Sequence, residues 1–228
     1  AGAVDVTTRG LDTPTMPGTP PFVKSLDVER ARDGEVMVAY EMNGAPLPLL
    51  NGFPLRLVAP GWYATYWVKS LSDIEVLATR FDGFWMKKSY LIPNNARGEE
   101  SPDALVSDRV PINKMAVHSI FVRPDLGEEL KRGIAYPLEG LAMDGGSGIK
   151  QVEVSIDGGQ QWQTAKLDPS LGRYSWRRWK LDWTPANAGL HRLMVRATNE
   201  NGETQVPKYW NRSGYMRQVI ESLEVKVV

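Results

Sequence analysis

The chain contains no cysteine. Disulfides, thiolate-ligated zinc, iron–sulfur clusters and a thiol nucleophile are therefore excluded from its own residues. Histidine is almost as scarce. The two present, His118 and His191, stand far apart in strand-like runs, so no metal site of several imidazoles is expected. Neither charge is in excess, with 27 Lys and Arg against 27 Asp and Glu. That balance gives no general attraction to nucleic acid or an anionic membrane. No apolar run approaches the roughly 20 residues of a membrane span. No C-x-x-C-H run for haem attachment occurs, and there is no internal repeat or low-complexity tract. What is there is a chain of 228 residues, 42% hydrophobic and 24% charged. This is the composition of a globular protein with a real core, organised as one large or two small domains.

The first half is rich in turn residues and mixed in pattern. Proline and glycine crowd the stretch from Asp12 to Phe22, which predicts a long ordered loop. Val36–Tyr40 predicts a strand ending in a turn at Asn43-Gly44, "PLRLVAP" a second, and Ile74–Leu77 a third. Pro93–Ala104 is polar and full of breakers. After about Lys114 the pattern becomes regular. Val152, Val154 and Ile156 alternate with Glu153, Ser155 and Asp157, and Asp157-Gly158-Gly159 predicts a hairpin turn. In "YSWRRWKLDW" a strand would put Arg177, Trp179, Leu181 and Trp183 on one face. Leu193, Val195 and Ala197 alternate in another strand, and "IESLEVKVV" makes the last. Strands at about ten-residue spacing with Gly, Asp and Asn turns predict an antiparallel sandwich of immunoglobulin type. The fold class is α+β, mostly β, divided into 1–112 and 113–228.

Several segments together carry a resemblance. "LDTPTMPGTPPFVKSL", "YEMNGAPLP", "NGFPLRLVAPGW", "VKSLSDIEV", "WMKKSY", "SIDGGQQWQTAKL" and "WRRWKL", in this order, resemble the sulfite oxidase family of molybdopterin enzymes. "PGWYATYWVK" and "FWMKKSY" are similar to the bacterial, cytochrome c-linked sulfite dehydrogenases. The resemblance runs from near residue 6 to the C-terminus. It implies the second half of a molybdopterin domain followed by an immunoglobulin-like domain that forms the family's dimer. It also implies that the molybdenum-ligating cysteine lies outside this chain, in the other half of the cofactor domain.

The resemblance assigns roles to particular positions. Asp12, Asn51, Arg56 and the segment Trp67, Val68, Lys69 are implied to hold the pterin, which needs cations for its phosphate and a dense set of polar partners for its ring. Asn51 stands where the vertebrate enzymes have a histidine. Tyr90 is implied to be catalytic, beside the metal's oxygen ligands and the substrate, where a phenol can hydrogen-bond an oxyanion. Arg177, with Arg178 in reserve, is implied to bind sulfite. A buried structural ion pair is the competing reading for Arg177, since an arginine on an apolar face needs an anionic partner. No residue is expected to ligate metal directly.

The implied reaction is oxidation of sulfite to sulfate with electrons passed to a c-type cytochrome, or to a haem subunit, because this chain carries no haem motif. The periplasm is the expected location. Two alternatives remain open: a sulfane dehydrogenase subunit of a sulfur-oxidising complex, and a non-catalytic immunoglobulin-like interaction module.

Overall fold

A computed structural model of the chain describes residues 2–228. The chain forms two compact units. One is Ala1–Lys114 together with Asn211–Tyr215, and the other is Met115–Trp210 together with Met216–Val228. The return of a five-residue stretch to the first unit has no counterpart in a division at 112/113.

The first unit is built on a three-stranded antiparallel sheet ordered β2-β1-β7, from β1 (Asp5–Gly10), β2 (Val23–Asp27) and a later strand, β7 (Leu71–Leu77). Between these run β3 (Met37–Ala39), β4 (Glu41–Met42), β5 (Ala45–Pro46) and β6 (Arg56–Val58), and after them β8 (Leu91–Pro93) and β9 (Arg109–Pro111). They pair as small antiparallel ladders: β3 with β6, β4 with β5, and β8 with β9. The β4–β5 hairpin turns at Asn43-Gly44, both with positive φ, as a tight two-residue hairpin turn requires. Residues 12 to 22 contain no strand or helix, in keeping with their prolines. The strand expected at Val36–Tyr40 is shorter, and Tyr40 lies beyond it, 65% exposed.

Periodicity gave no warning of β1 and β2. β1 is the central strand, covered on both faces, and its polar Thr7 and Thr8 are buried with Asp5. A strand buried on both sides has no polar face to alternate with. Leu26, Leu57, Ala59, Tyr66, Val68 and Leu71 make the apolar core of this unit.

The second unit is a two-sheet sandwich. Its strands are β10 (His118–Arg123), β11 (Glu129–Leu130), β12 (Tyr136–Met143), β13 (Ile149–Ser155), β14 (Gln163–Thr164), β15 (Lys166–Leu167), β16 (Arg177–Trp183), β17 (Gly189–Asn199) and β18 (Glu221–Val227). One sheet is ordered β10-β12-β16-β15 and the other β11-β18-β17-β13-β14. All pairs are antiparallel except β11 with β18. The alternating residues Val152 and Val154, Trp179 and Trp183, and Leu193, Val195 and Ala197 face the same core. His118 and His191 are strand residues of β10 and β17.

The Asp157 turn is longer than a tight hairpin. Val154 pairs with Gln163, so eight residues lie between the paired positions. The Asp157 carboxylate accepts the Gln160 and Gln161 amides at 2.9 and 3.0 Å and the Ser155 hydroxyl at 2.7 Å. These donors hold the carboxyl below the usual aspartate range. A side-chain cap thus closes the loop. No helix among the described residues is long and apolar enough to cross a membrane.

Trp179 is the keystone of the sandwich. It is buried, its indole N–H donates to the Ser119 hydroxyl at 2.9 Å, and Phe121 meets it edge-on at 5.5 Å. Gly140, its partner across the ladder, makes room for the ring. A Cβ there would lie 2.2 Å from Trp179 Cζ2 and 2.1 Å from the Ile120 carbonyl oxygen. Trp179→Ala is expected to cost about 3–5 kcal/mol through the cavity it leaves, and Gly140→Ala to destabilise through overlap. Urea unfolding of the two variants checks this. An unchanged midpoint in Gly140→Ala would show that the sheet yields where this packing says it cannot.

Candidate functional site

The expected cofactor residues of the first unit converge. Arg56 opens β6 and turns its guanidinium back onto the short helical turn Leu49–Asn51, donating from Nη1 to the Asn51 carbonyl at 3.1 Å. Its Nη2 lies 3.5 Å from the Trp67 carbonyl, and its guanidinium lies over the Trp67 ring at 5.7 Å. Lys69 Nζ donates to the Leu50 carbonyl at 3.0 Å. Val68 is buried and ties the two segments together, its carbonyl accepting the Leu57 amide at 2.8 Å. Ser70 N–H donates to the Gly52 carbonyl at 3.2 Å, and Leu11 N–H to the Ser70 carbonyl at 2.9 Å. Asn51, Arg56, Trp67, Val68 and Lys69 therefore form one compact cradle.

Asp12 joins it through Gly10. A Cβ on Gly10 would sit 2.6 Å from Asp12 Oδ1 and 2.4 Å from the Lys69 carbonyl oxygen, so these groups approach one small space. Gly52 is the hinge on the other side. Its φ of +104° and a virtual Cβ 3.0 Å from Lys69 Cα and 3.1 Å from Arg56 Cβ leave room only for glycine.

The electrostatics of the cradle are unusual. Arg56 and Lys69 both donate to main-chain carbonyls, and neither has a carboxylate partner among the described residues. The Arg56 Nε is buried with no acceptor at all. Two cations that form no ion pair, one carrying an unused buried donor, suit an anionic group such as a phosphate. No cluster of His, Cys, Asp and Glu fit for a metal occurs among the described residues.

Tyr90 follows the helical turn Phe84–Lys87 and sits in the left-handed region at φ +55°. For a non-glycine residue that backbone costs roughly 1–2 kcal/mol, so its neighbours must hold it there. Its carbonyl accepts the Ile112 amide at 2.8 Å. Its ring stacks on Tyr215 at 5.7 Å and 17°, with Trp85 at 6.0 Å and Phe22 edge-on at 6.2 Å. Its hydroxyl makes no hydrogen bond among the described residues.

Beside it lies Lys24, which the sequence reading passed over. Lys24 is 1% exposed, donates to the Trp85 carbonyl at 2.9 Å, and points its ammonium at the Tyr66 and Tyr90 rings, 4.5 and 5.1 Å from their centroids. It has no carboxylate partner among the described residues. Burial lowers its pKa to about 8 and raises that of Tyr66, whose hydroxyl donates to the Ile112 carbonyl at 2.6 Å. No local pattern marks Lys24, because its partners lie far along the chain. Tyr215 was missed for the same reason.

Arg177 and Arg178 open β16 in the second unit. Arg177 Nε donates to the Asp168 carbonyl and Nη1 to the Ile149 carbonyl, each at 2.9 Å. The partners of this arginine are main-chain carbonyls, where an anionic side chain was expected. Arg178 is exposed and lines a cavity of about 400 Å³ with Glu139, Asp168 and Lys180.

Comparison with known proteins now decides the family. Residues 1–85 match the family described as oxidoreductase molybdopterin binding domain, and residues 109–227 the Mo-co oxidoreductase dimerisation domain. Human mitochondrial sulfite oxidase is 34% identical over 233 residues, which cover 96% of this chain and 41% of that protein. The chain belongs to the sulfite oxidase family of molybdopterin oxidoreductases. Its relatives do not share one substrate name. A tobacco NADH nitrate reductase is 29% identical over 94% of this chain and 26% of that protein. The sulfane dehydrogenase SoxCD of Paracoccus pantotrophus superposes with a TM-score of 0.82 at 25% identity, covering 99% of this chain and 55% of that one. The chain thus spans about two-fifths of the length of human sulfite oxidase. As a member of the family, it has the expected mostly β fold of cofactor-domain half and dimerisation domain.

The buried Lys24 makes a stability prediction. Its folded pKa of about 8 lies below its ordinary 10.5. Below pH 8 both folded and unfolded chains hold the proton. Between about pH 8 and 10.5 only the unfolded chain holds it, so stability rises with pH across that window. The gain is on the order of 1–3 kcal/mol. Lys24→Met should remove the rise, as read from urea midpoints at pH 7.5 and 10. An equal rise in wild type and variant would place its source elsewhere.

Proposed function

We propose that this chain is part of a molybdenum enzyme that oxidises sulfite to sulfate and passes the electrons to a c-type cytochrome or haem subunit, in the periplasm. The reading rests on one observation above all: Arg56 and Lys69 are held by carbonyls and form no ion pair among the described residues. When bound, the molybdenum–pterin group supplies the two-electron redox chemistry. Arg56 and Lys69 offer their remaining N–H donors to its phosphate. Asp12 offers carboxylate acceptors to ring N–H groups, while Asn51 and the 67–69 segment supply amide and main-chain partners. Since the chain has no cysteine, the thiolate ligand comes from the other half of the cofactor domain.

Tyr90 keeps its hydroxyl unpaired, ready to orient a bound oxyanion and to hold a proton at its phenolic oxygen during turnover. Arg177 and Arg178 contribute sulfite affinity in this reading. The second unit carries a homodimer contact, as the name of its family suggests.

A second reading is favoured by the SoxCD likeness, which covers 99% of this chain: oxidation of sulfur held on a carrier protein. Free sulfite and a carrier-bound sulfane, offered separately with cytochrome c as acceptor, distinguish the two. Turnover of the sulfane alone would replace the first reading by the second.

The deciding experiment is molybdenum content per chain in the complete protein, with a sulfite–cytochrome c assay. Arg56→Gln is expected to lose most of the molybdenum. Tyr90→Phe should keep it and lower kcat about 10²-fold or more. Full molybdenum in Arg56→Gln would remove the cradle from cofactor binding. Arg177→Gln is expected mainly to raise the KM for sulfite, with a smaller shift of the unfolding midpoint from its lost bonds to the Asp168 and Ile149 carbonyls. A shift of the midpoint alone would make Arg177 a purely structural tie between the carbonyls of Asp168 and Ile149.

A further inference from the structure

Tyr215 reaches Tyr90 across the sequence. It belongs to the stretch Asn211–Tyr215, which lies between β17 and β18 yet is part of the first unit. That stretch is tied down with unusual strength. Arg212 grips Glu100 with two bonds, Nε to Oε1 at 2.8 Å and Nη2 to Oε2 at 2.7 Å, and its own amide adds a third at 3.0 Å. The Glu100 side chain is fully buried and also accepts the Val106 amide at 2.8 Å. Asn211 Nδ2 donates to the Gly98 carbonyl at 2.9 Å, and Ser213 Oγ to the Leu91 carbonyl at 2.7 Å, one residue from Tyr90. Bidentate arginine–carboxylate pairs fix orientation as well as distance. The stretch is therefore held in register with the strand that follows Tyr90.

Its one aromatic product is the ring of Tyr215, nearly parallel to that of Tyr90. The Lys24 ammonium also lies over the Tyr90 ring. A side chain with a left-handed backbone and an unpaired hydroxyl needs its ring direction set from outside.

We propose that Tyr215 and Lys24 are positioning residues: together they clamp the Tyr90 ring in the direction its role requires, and the Arg212–Glu100 pair sets the clamp. This rests on the assignment of Tyr90 to the oxidation of sulfite. Neither clamp residue is required to touch substrate. Their contribution is to keep a near-attack arrangement from loosening, where a displacement of about 1 Å can cost on the order of 10² in rate.

The test uses the complete protein with 3-fluorotyrosine placed at position 90, read by fluorine NMR, beside sulfite kinetics at measured molybdenum content. Tyr215→Leu and Lys24→Met are expected to shift and broaden the fluorine signal. Each should lower kcat about tenfold with KM changed less than twofold and molybdenum retained. Tyr215→Phe, which keeps the stacked ring, should restore both signal and kcat. Glu100→Gln, remote from Tyr90 and the cradle, should reproduce a weaker form of the same change and serves if the other variants fold poorly. An unmoved signal and a wild-type kcat in Tyr215→Leu and Glu100→Gln, with Tyr90→Phe impaired, would overturn the clamp and leave the role of Tyr90 standing. A wild-type kcat in Tyr90→Phe itself would overturn the assignment on which the clamp depends.

Discussion

A cation held by peptide carbonyls keeps its full charge. That condition governs the first unit of this protein. Arg56 and Lys69 are fixed by the carbonyls of Asn51, Trp67 and Leu50, which orient them without neutralising them. To present those carbonyls, the chain must stop its strands early and turn at Leu49–Asn51 and again before Lys69. Gly52 is forced by the same geometry, because the backbones of residues 52 and 69 nearly touch. An ion pair in place of these carbonyl contacts would be a more ordinary arrangement and would cancel the field that an anionic cofactor needs.

The second unit solves a different problem with different means. It packs Trp179 and its neighbours between two sheets, and its loops are closed by side-chain caps such as Asp157 with Ser155. Arg177 is drawn into this economy, since its donors satisfy carbonyls that two strand ends would leave open. A residue can serve such a structural tie and still offer its remaining donors outward, because a guanidinium carries five.

Much of this was legible in the sequence, and the limits are physical. The sandwich strands announce themselves because apolar and polar residues alternate, as in Val152 and Val154 against Gln151 and Glu153. Asp12, Asn51, Arg56 and the Trp67, Val68, Lys69 segment were singled out by the family resemblance of their motifs, since no period or spacing marks them in an irregular stretch. Strand β1 was not, since its interior position hides the alternation. Lys24 reads as an ordinary surface lysine until β2 is placed against Tyr66 and Trp85. Tyr215 lies 125 positions beyond Tyr90, in a stretch whose glycine and serine suggest only a loop. Contacts between distant segments leave no local period to detect.

The excursion of residues 211–215 has a consequence for the history of the chain. A boundary drawn between its halves looks like a place where modules could be exchanged, one half inherited from one ancestor and one from another. Here the later half carries, inside its own strand order, five residues that complete the earlier one. A recombinant that joined this cofactor half to a foreign sandwich would keep both cores and lose Tyr215 with its anchor. Replacing the later half alone would therefore also alter the surroundings of Tyr90.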